Sequence, residues 1–420
     1  HIYLYMQYSI VAPEKLRVVV TLPASKSISN RALIMHALSG SSLLPQNLSN
    51  CDDTRVMVRA LSDMPKNIDV RAAGTAMRFM TAFLSCQKGE HTLTGTQRMR
   101  QRPIKPLVDA LRYVGAEVEY EAKEGYPPIR IYGKPLEGGR VEMPGGISSQ
   151  FISAILMIAP TLKKGLELKM TGQIASRPYI DLTLCMMREY GAKADWTDIN
   201  AICVKPGQYK ARQYSIESDW SAASYWYEMV ALSKDPDTIV ELEGLSENSK
   251  QGDSVVRHIF SLLGVKTVFS KHPAGQLTKV TLKKLSTRLP KLEYDFVNSP
   301  DLAQTLVVTC AMMGVPFHFK GLSSLRIKET DRIEALKKEM AKLGFVLREM
   351  AEGELAWDGM RCRPSDEPID TYEDHRMALA FAAVAFVNKE IKINQPGVVS
   401  KSYPQFWNDL RQSGFEINEI

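Results

Sequence analysis

The chain has 420 residues, 45% of them hydrophobic and 24% charged, with a formal net charge of +6. That length holds about two to three domains, and the balance is that of a soluble globular protein. The modest positive charge suits small anionic ligands and excludes a dedicated nucleic-acid binder, which carries a far larger excess.

The six cysteines, Cys51, Cys86, Cys185, Cys203, Cys310 and Cys362, form no Cys-x-x-Cys pair, and the histidines are scattered. Reduced thiols in a cytoplasmic protein are expected, with neither a disulfide framework nor a structural zinc. No apolar run approaches the roughly 18 residues that span a bilayer. The opening HIYLYMQYSI lacks the order of a signal peptide, and Met6 reads as the natural start.

After an N-terminal strand, LPASKSISNRALIMHAL (residues 22–38) reads as a helix whose entrance carries Lys26, Ser27 and Arg31. It is not a phosphate-binding P-loop, because no glycine frees the backbone before Lys26. From Leu43, LLPQNLSNCDDTRVMVRALSDM reads as a short copy of a plan that then recurs: strand, polar loop, amphipathic helix, glycine, strand. Fuller copies begin at His91, Leu166, Thr238, Phe317 and Ile391. Their helix-ending glycines Gly115, Gly191, Gly264, Gly344 and Gly414 recur at intervals of 70 to 80 residues, as left-handed C-caps would.

A second helix type alternates with the first. SNRALIMHAL, GTAMRFMTAFL, SSQFISAILMIA, DWSAASYWYEMVAL, SPDLAQTLVVTCAMM and DHRMALAFAAVAF are apolar almost all round, which predicts burial on every side. Each opens on a polar residue or glycine. A helix N-terminus exposes unpaired N–H groups and partial positive charge, so related repeats pointing such ends at one cleft would trap anions.

The entrances carry matching side chains. Gly74, Thr75 and Arg78 open the second, Ser148, Ser149 and Gln150 the third, Asp301 the fifth, and His375 and Arg376 the sixth. The connecting loops add Arg102, Ser176, Arg177, Tyr179, Lys328, Glu329, Arg332 and Lys401. Most are donors or cations fitted to carboxylate and phosphate. Asp301 and Glu329 stand out as candidate base and acid. Plainer readings exist for each. Ser148, Ser149 and Asp301 would serve as helix caps, KETDR as a solvated helix start with a Lys328–Asp331 pair, and His375 as a structural residue. RMRQRPIK would serve as an exposed basic loop or an RNA surface, although interleaved aromatics are missing.

In order from Leu22 to Pro404, LPASKSISNRAL, AAGTAMR, RQRPI, SSQF, SRPYID, RIKETDR, YEDHRMA and SKSYP resemble the 5-enolpyruvylshikimate-3-phosphate synthase family. The resemblance implies an α/β fold of two domains, an inside-out α/β barrel built from six βαβαββ units with buried helices. One three-repeat domain would span 22–216. The other would join 1–21 to 217–420, with the active site in a cleft that closes about a hinge.

The implied reaction moves the enolpyruvyl group of phosphoenolpyruvate to the 5-hydroxyl of shikimate 3-phosphate and releases phosphate through a tetrahedral intermediate. It needs no metal or organic cofactor. The implied shikimate 3-phosphate contacts are Lys26, Ser27, Arg31, Ser148, Ser149, Gln150, Ser176, Tyr179, Asp301, Ser324 and Lys328. Those for phosphoenolpyruvate are Lys26, Gly74, Arg102, Gln150, Arg332, Arg376 and Lys401. Asp301, Glu329 and Lys26 would share the proton transfers.

The chain departs from the common family pattern at Ala72 (often asparagine), Phe79 (often proline) and Ser324 (asparagine in many members). Gly74 and Thr75 are retained, so binding of glyphosate, which mimics phosphoenolpyruvate in this family, is implied. The sister family acting on UDP-N-acetylglucosamine usually carries a reactive cysteine in the loop matching GTQRMRQRPI, and this loop has none. The expected partners are the two small substrates alone, with no nucleic acid and no membrane, for a monomer.

Overall fold

The computed structural model describes residues 5–270 and 278–420, so of the five residues ahead of Met6 all but Tyr5 lie outside the described residues. The chain forms two compact units. One takes the chain up to Ala24, Glu217–Ser249 and Asp253–Ile420; the other takes Ser25–Ile216 and Lys250–Gly252.

One sheet order recurs in both units. In the unit containing Ser25–Ile216, neighbouring strands run Asn67–Asp69, Gly89–Thr94, Ile129–Gly133, Glu117–Tyr120. The first pair is parallel and the next two pairs are antiparallel. Gly139–Pro144, Leu166–Thr171, Ala201–Val204 and Ala194–Asp198 repeat that order and those directions. In the other unit so do Arg17–Thr21, Ile239–Leu245, Thr278–Lys284 and Val265–Phe269. Leu292–Asp295, Phe317–Lys320, Glu354–Trp357 and Arg348–Ala351 do the same. A parallel pair needs a crossover helix, and an antiparallel return needs only a turn, so this order follows from a strand–helix–strand–helix–strand–strand chain.

A fifth sheet, Ile391–Asn394, Gln7–Val11 and Glu416–Glu419, keeps three strands. The place of its fourth is taken by a single parallel bridge from Ile369 to Ile393. The copy beginning at Leu43 is shorter still. It holds the helix Asp52–Asp63 and one bridge from Gln46 to Ser215.

The strands show why they pair with one face covered. LELKMT in Leu166–Thr171 alternates strictly between buried and exposed side chains. The all-round apolar helices lie inside. Every residue of Gly74–Ser85 and of His375–Phe381 is buried. Gly74–Ser85 packs on Ser149–Ile158 in one unit, and Trp220–Leu232 packs on Ala303–Met313 in the other. DHRMALAFAAVAF departs from its expected single helix, tightening to a 3-10 stretch over Ala382–Phe386. The five recurring glycines have φ between +88° and +112°, which favours glycine. Among the described residues no helix is long and apolar enough to cross a membrane.

Candidate active site

In the unit containing Ser25–Ile216, the entrance of the helix Lys26–Leu38 is held by three kinds of partner. Ser25 caps it, accepting from the Ile28 N–H. Lys26 Nζ lies 3.2 Å from Asp53 Oδ2, a carboxylate at the start of Asp52–Asp63. Arg31 is 2% exposed and donates from Nε to Thr183 Oγ1 (2.7 Å), from one terminal nitrogen to the Ser27 carbonyl (3.0 Å) and from the other to Ser153 Oγ (3.2 Å). Its guanidinium stands 5.4 Å from the Phe79 ring and 6.0 Å from that of Tyr179.

No carboxylate pairs with Arg31 among the described residues. Burial pulls its pKa down to about 10, so the group stays charged at neutral pH. A buried cation compensated only by neutral acceptors is costly until an anion meets it.

Beside it, Arg78 donates to Gln150 Oε1 (2.5 Å), and Gln150 Nε2 donates to Thr75 Oγ1 (2.8 Å). Gly74 is where three guanidinium nitrogens converge. A Cβ there would lie 2.8 and 2.9 Å from the terminal nitrogens of Arg102 and 2.9 Å from one of Arg78. Ser148 does cap the helix Ser149–Ile158, accepting from the Gln150 N–H (3.3 Å), and Ser149 is its buried first residue. Ser176 precedes the helix Arg177–Glu189 in a left-handed conformation, φ 52°, with no side-chain capping bond. Arg177 turns away, donating to the Ile199 carbonyl and covering the Trp196 ring.

The other unit holds a denser cluster around Arg332, itself 1% exposed. Its guanidinium meets Asp374 through Nε (2.8 Å) and a terminal nitrogen (3.2 Å). The same guanidinium reaches Asp301 at 3.0 Å and Glu329 at 2.7 Å. Burial opposes its charge, but Asp374, Glu329 and Asp301 outweigh burial and hold it firmly protonated.

Asp301 also faces Lys328 at 3.6 Å and Arg376 at 3.4 Å, while Lys401 Nζ lies 3.4 Å from Glu329 Oε1. Arg376 donates onward to the Tyr225 hydroxyl (2.9 Å), whose pKa burial pushes up to about 12. Ser324 lies half-buried in the 3-10 stretch Ser323–Ile327 that leads to Lys328.

Two plainer sequence readings are corrected here. The N-cap of Ala303–Met313 is Leu302, without a side-chain bond, and Asp301 points its oxygens at three cations instead. Asp331 caps Arg332–Lys342 and pairs with Arg326 (3.0 Å), so the expected Lys328–Asp331 pair does not form. His375 is 1% exposed, with Nδ1 3.5 Å from Asp374 Oδ1, in keeping with a structural role. Ligand atoms of Glu329, Asp374 and His375 lie within 4.8 Å of one another. The Arg332 guanidinium already bridges the two carboxylates, so the charge a metal would bring is present.

Sequence reasoning missed Asp53, Thr183, Ser153, Tyr225 and Asp374. Asp53 and Asp374 each sit at a helix start beside a basic motif, a signal that was available. A groove of about 1220 Å³, lined by Lys105, Tyr113, Arg140, Glu142 and Lys169 among others, includes none of the candidate residues.

The sequence matches the family model for EPSP synthase (3-phosphoshikimate 1-carboxyvinyltransferase) over residues 10–67 and 62–410. The 3-phosphoshikimate 1-carboxyvinyltransferase of Bacteroides fragilis is 54% identical over 413 residues, covering 98% of this chain and 99% of the relative. That of Mannheimia haemolytica is 35% identical, covering 94% and 96%. The EPSP synthase structure from Acinetobacter baumannii superposes with a TM-score of 0.76 at 21% identity, covering 98% of this chain and all of that one. The enolpyruvyl transferase NikO from Streptomyces tendae gives 0.72 at 15% identity over 99% of each chain, so the fold alone does not name the acceptor. With a matching family model across nearly the whole chain and a relative at 54% identity, this protein belongs to the EPSP synthase family.

Proposed function

We propose that this chain transfers the enolpyruvyl group of phosphoenolpyruvate to the 5-hydroxyl of shikimate 3-phosphate, releasing inorganic phosphate, on the route to chorismate and the aromatic amino acids. The observation that carries the reading is the Arg332 guanidinium, which brings Asp301 and Glu329 together. These are the two carboxylates that the family motifs assign to proton transfer.

The chemistry follows from the charges. Arg332, Arg376, Lys328 and Lys401 are already paired with carboxylates before substrate arrives. The phosphate and carboxylate of phosphoenolpyruvate compete for Arg332, Arg376 and Lys401 and draw them off Asp301 and Glu329. Losing a cation raises a carboxylate's affinity for a proton, so substrate binding itself readies the base. Asp301 then takes the proton of the 5-hydroxyl as its oxygen bonds to C2 of the enol phosphate, and Glu329 delivers a proton to C3. In the second half the bond from C2 to the phosphate oxygen breaks, phosphate leaves and Glu329 takes a proton back from the methyl group.

Lys26 is read as a further proton-transfer and binding group, with Asp53 orienting it. Ser27, Arg31, Ser148, Ser149, Gln150, Ser176, Tyr179, Ser324 and Lys328 are read as the shikimate 3-phosphate set. Gly74, Arg102 and Gln150 join the cations on phosphoenolpyruvate. The uncompensated Arg31 charge and the Gly74 approach to two guanidiniums support an anion at each place.

We also read the repeats as six βαβαββ units of an inside-out barrel, three to each of domains 22–216 and 1–21 plus 217–420, which the shared strand order supports. The enzyme is read as a cytoplasmic monomer that acts without cofactor or nucleic acid, since proton transfer and charge suffice for the chemistry. The test is phosphate release from phosphoenolpyruvate with either shikimate 3-phosphate or UDP-N-acetylglucosamine. Release with the first alone is expected, and release with the second alone overturns the reading.

A further inference from the structure

Tyr225 belongs to none of the motifs that carry the family resemblance. It sits in the second turn of the buried helix Trp220–Leu232 and is 1% exposed. Its ring packs edge-on against Phe406, with the centroids 6.2 Å apart. Its hydroxyl accepts from one terminal nitrogen of Arg376 at 2.9 Å, and among the described residues that is its one hydrogen bond.

Arg376 is held at both ends. Asp374 accepts its backbone N–H at 3.0 Å at the start of the helix His375–Phe381. At the far end, the second terminal nitrogen reaches Asp301 at 3.4 Å, longer than a strong charge-assisted bond, and Nε is buried without a partner. The guanidinium therefore rests on one neutral oxygen and one loose ion pair. Arg332 differs, because the fully buried Asp374 grips it through two nitrogens.

We propose that Tyr225 is a positioning residue for phosphoenolpyruvate: its hydroxyl holds one terminal nitrogen of Arg376 as a fixed pivot, so that the other turns from Asp301 to the incoming anion. This rests on the reading of Arg376 as a phosphoenolpyruvate contact. A carboxylate in the place of the phenol would orient the guanidinium too, but it would cancel the charge that the substrate has to meet. The phenol accepts a hydrogen bond and leaves the charge whole. Burial pushes the Tyr225 pKa up to about 12, so the hydroxyl stays neutral at working pH.

The Tyr225 bond also survives the exchange of partners. Substrate draws the second nitrogen off Asp301, while the first stays where the phenol keeps it. Without the hydroxyl, Asp301 is the one side-chain partner left to Arg376 among the described residues. The guanidinium then settles on that carboxylate, and phosphoenolpyruvate has to displace it from a less favourable geometry.

The experiment measures the KM for each substrate and kcat by steady-state phosphate release, with the other substrate saturating. It compares the wild-type chain with Tyr225→Phe, Arg376→Met and the double variant, and melting temperatures check folding. Tyr225→Phe keeps the ring and removes the acceptor. Its KM for phosphoenolpyruvate should rise about tenfold, the loss expected of one hydrogen bond to a charged group. Its KM for shikimate 3-phosphate and its kcat should change by less than about twofold. On top of Arg376→Met, where no guanidinium remains to be held, the same substitution should change kcat/KM for phosphoenolpyruvate by less than about twofold. An unchanged or lower KM for phosphoenolpyruvate in Tyr225→Phe, an equal rise for both substrates, or an undiminished effect on top of Arg376→Met overturns the inference. A wild-type KM for phosphoenolpyruvate in Arg376→Met overturns the reading of Arg376 and this inference with it. A raised KM in Arg376→Met beside an unchanged one in Tyr225→Phe overturns this inference only. If Tyr225→Phe does not fold, 3-fluorotyrosine at position 225 decides. It keeps the hydroxyl but makes it a poorer acceptor, so the KM for phosphoenolpyruvate should still rise, and an unchanged value overturns the inference.

Discussion

Arg332 meets Asp374, Asp301 and Glu329 with one planar fork, a set of contacts that lysine would not reproduce. Glu329 is held by two cations, Arg332 and Lys401, and we propose that it gives and regains the proton. Replacing it by glutamine keeps the size and removes the proton. Turnover of Glu329→Gln should fall at least ~100-fold with the fold intact, as steady-state phosphate release and circular dichroism will report. Gly74 makes a second residue-level prediction. A methyl group there meets the terminal nitrogens of Arg102 and Arg78 at under 3 Å, so both guanidiniums must shift. In Gly74→Ala the KM for phosphoenolpyruvate should rise about tenfold, equivalent to ~1.4 kcal/mol of lost binding, with kcat changed less. The cations and two carboxylates of the site were legible because they sit inside compact motifs. The pairing of Asp374 with Arg332 was not, since 42 residues separate them and no local pattern records it; only the place of Asp374 at a helix start beside a basic motif was there to read. The same holds for Thr183, 152 residues from Arg31.

Helices set the aim of these side chains. Asp331 caps Arg332–Lys342 through the Glu334 N–H (3.2 Å) and so fixes the first turn, from which Arg332 projects. Asp331→Ala should cost about 1 kcal/mol in urea denaturation, since the cap bond and the Arg326 pair both go. Inside Trp220–Leu232, Glu228 is fully buried with one bond, from Thr309 (3.3 Å), and burial raises its pKa well above the usual range. A raised folded-state pKa makes a contribution to stability that is present below the unfolded carboxyl range and lost as pH rises toward the folded value. Wild-type melting temperature should therefore fall between about pH 5 and 8 by more than that of Glu228→Gln. Equal falls would show that Glu228 does not carry this dependence. The buried helices could be read from sequence because they are apolar all round, and the amphipathic ones because glycine ends them at φ near +100°. Two element boundaries could not. The 3-10 stretch Ala382–Phe386 follows an unbroken apolar run with nothing in its composition to mark the change. The strand expected from Leu43 shrinks to one bridge because its sheet partners are absent from that copy.

Among the described residues, four sheets with one strand order, and a fifth missing one strand, express a single plan repeated with different entrances. The repetition was legible as periodic glycines, whereas strand order within each sheet depends on long-range pairing that periodicity does not encode. What differs between copies is the polar residue set at each entrance, and there we propose that the function resides. If recognition is by charge, the KM values for both anionic substrates should rise as salt is raised from low to physiological strength, with kcat less affected. The most direct test of the account is a phosphorus NMR time course with shikimate 3-phosphate and phosphoenolpyruvate. The account predicts inorganic phosphate appearing in step with loss of both substrates and with an enol ether product. Phosphate release that proceeds equally without shikimate 3-phosphate, or no release with both present, would contradict it.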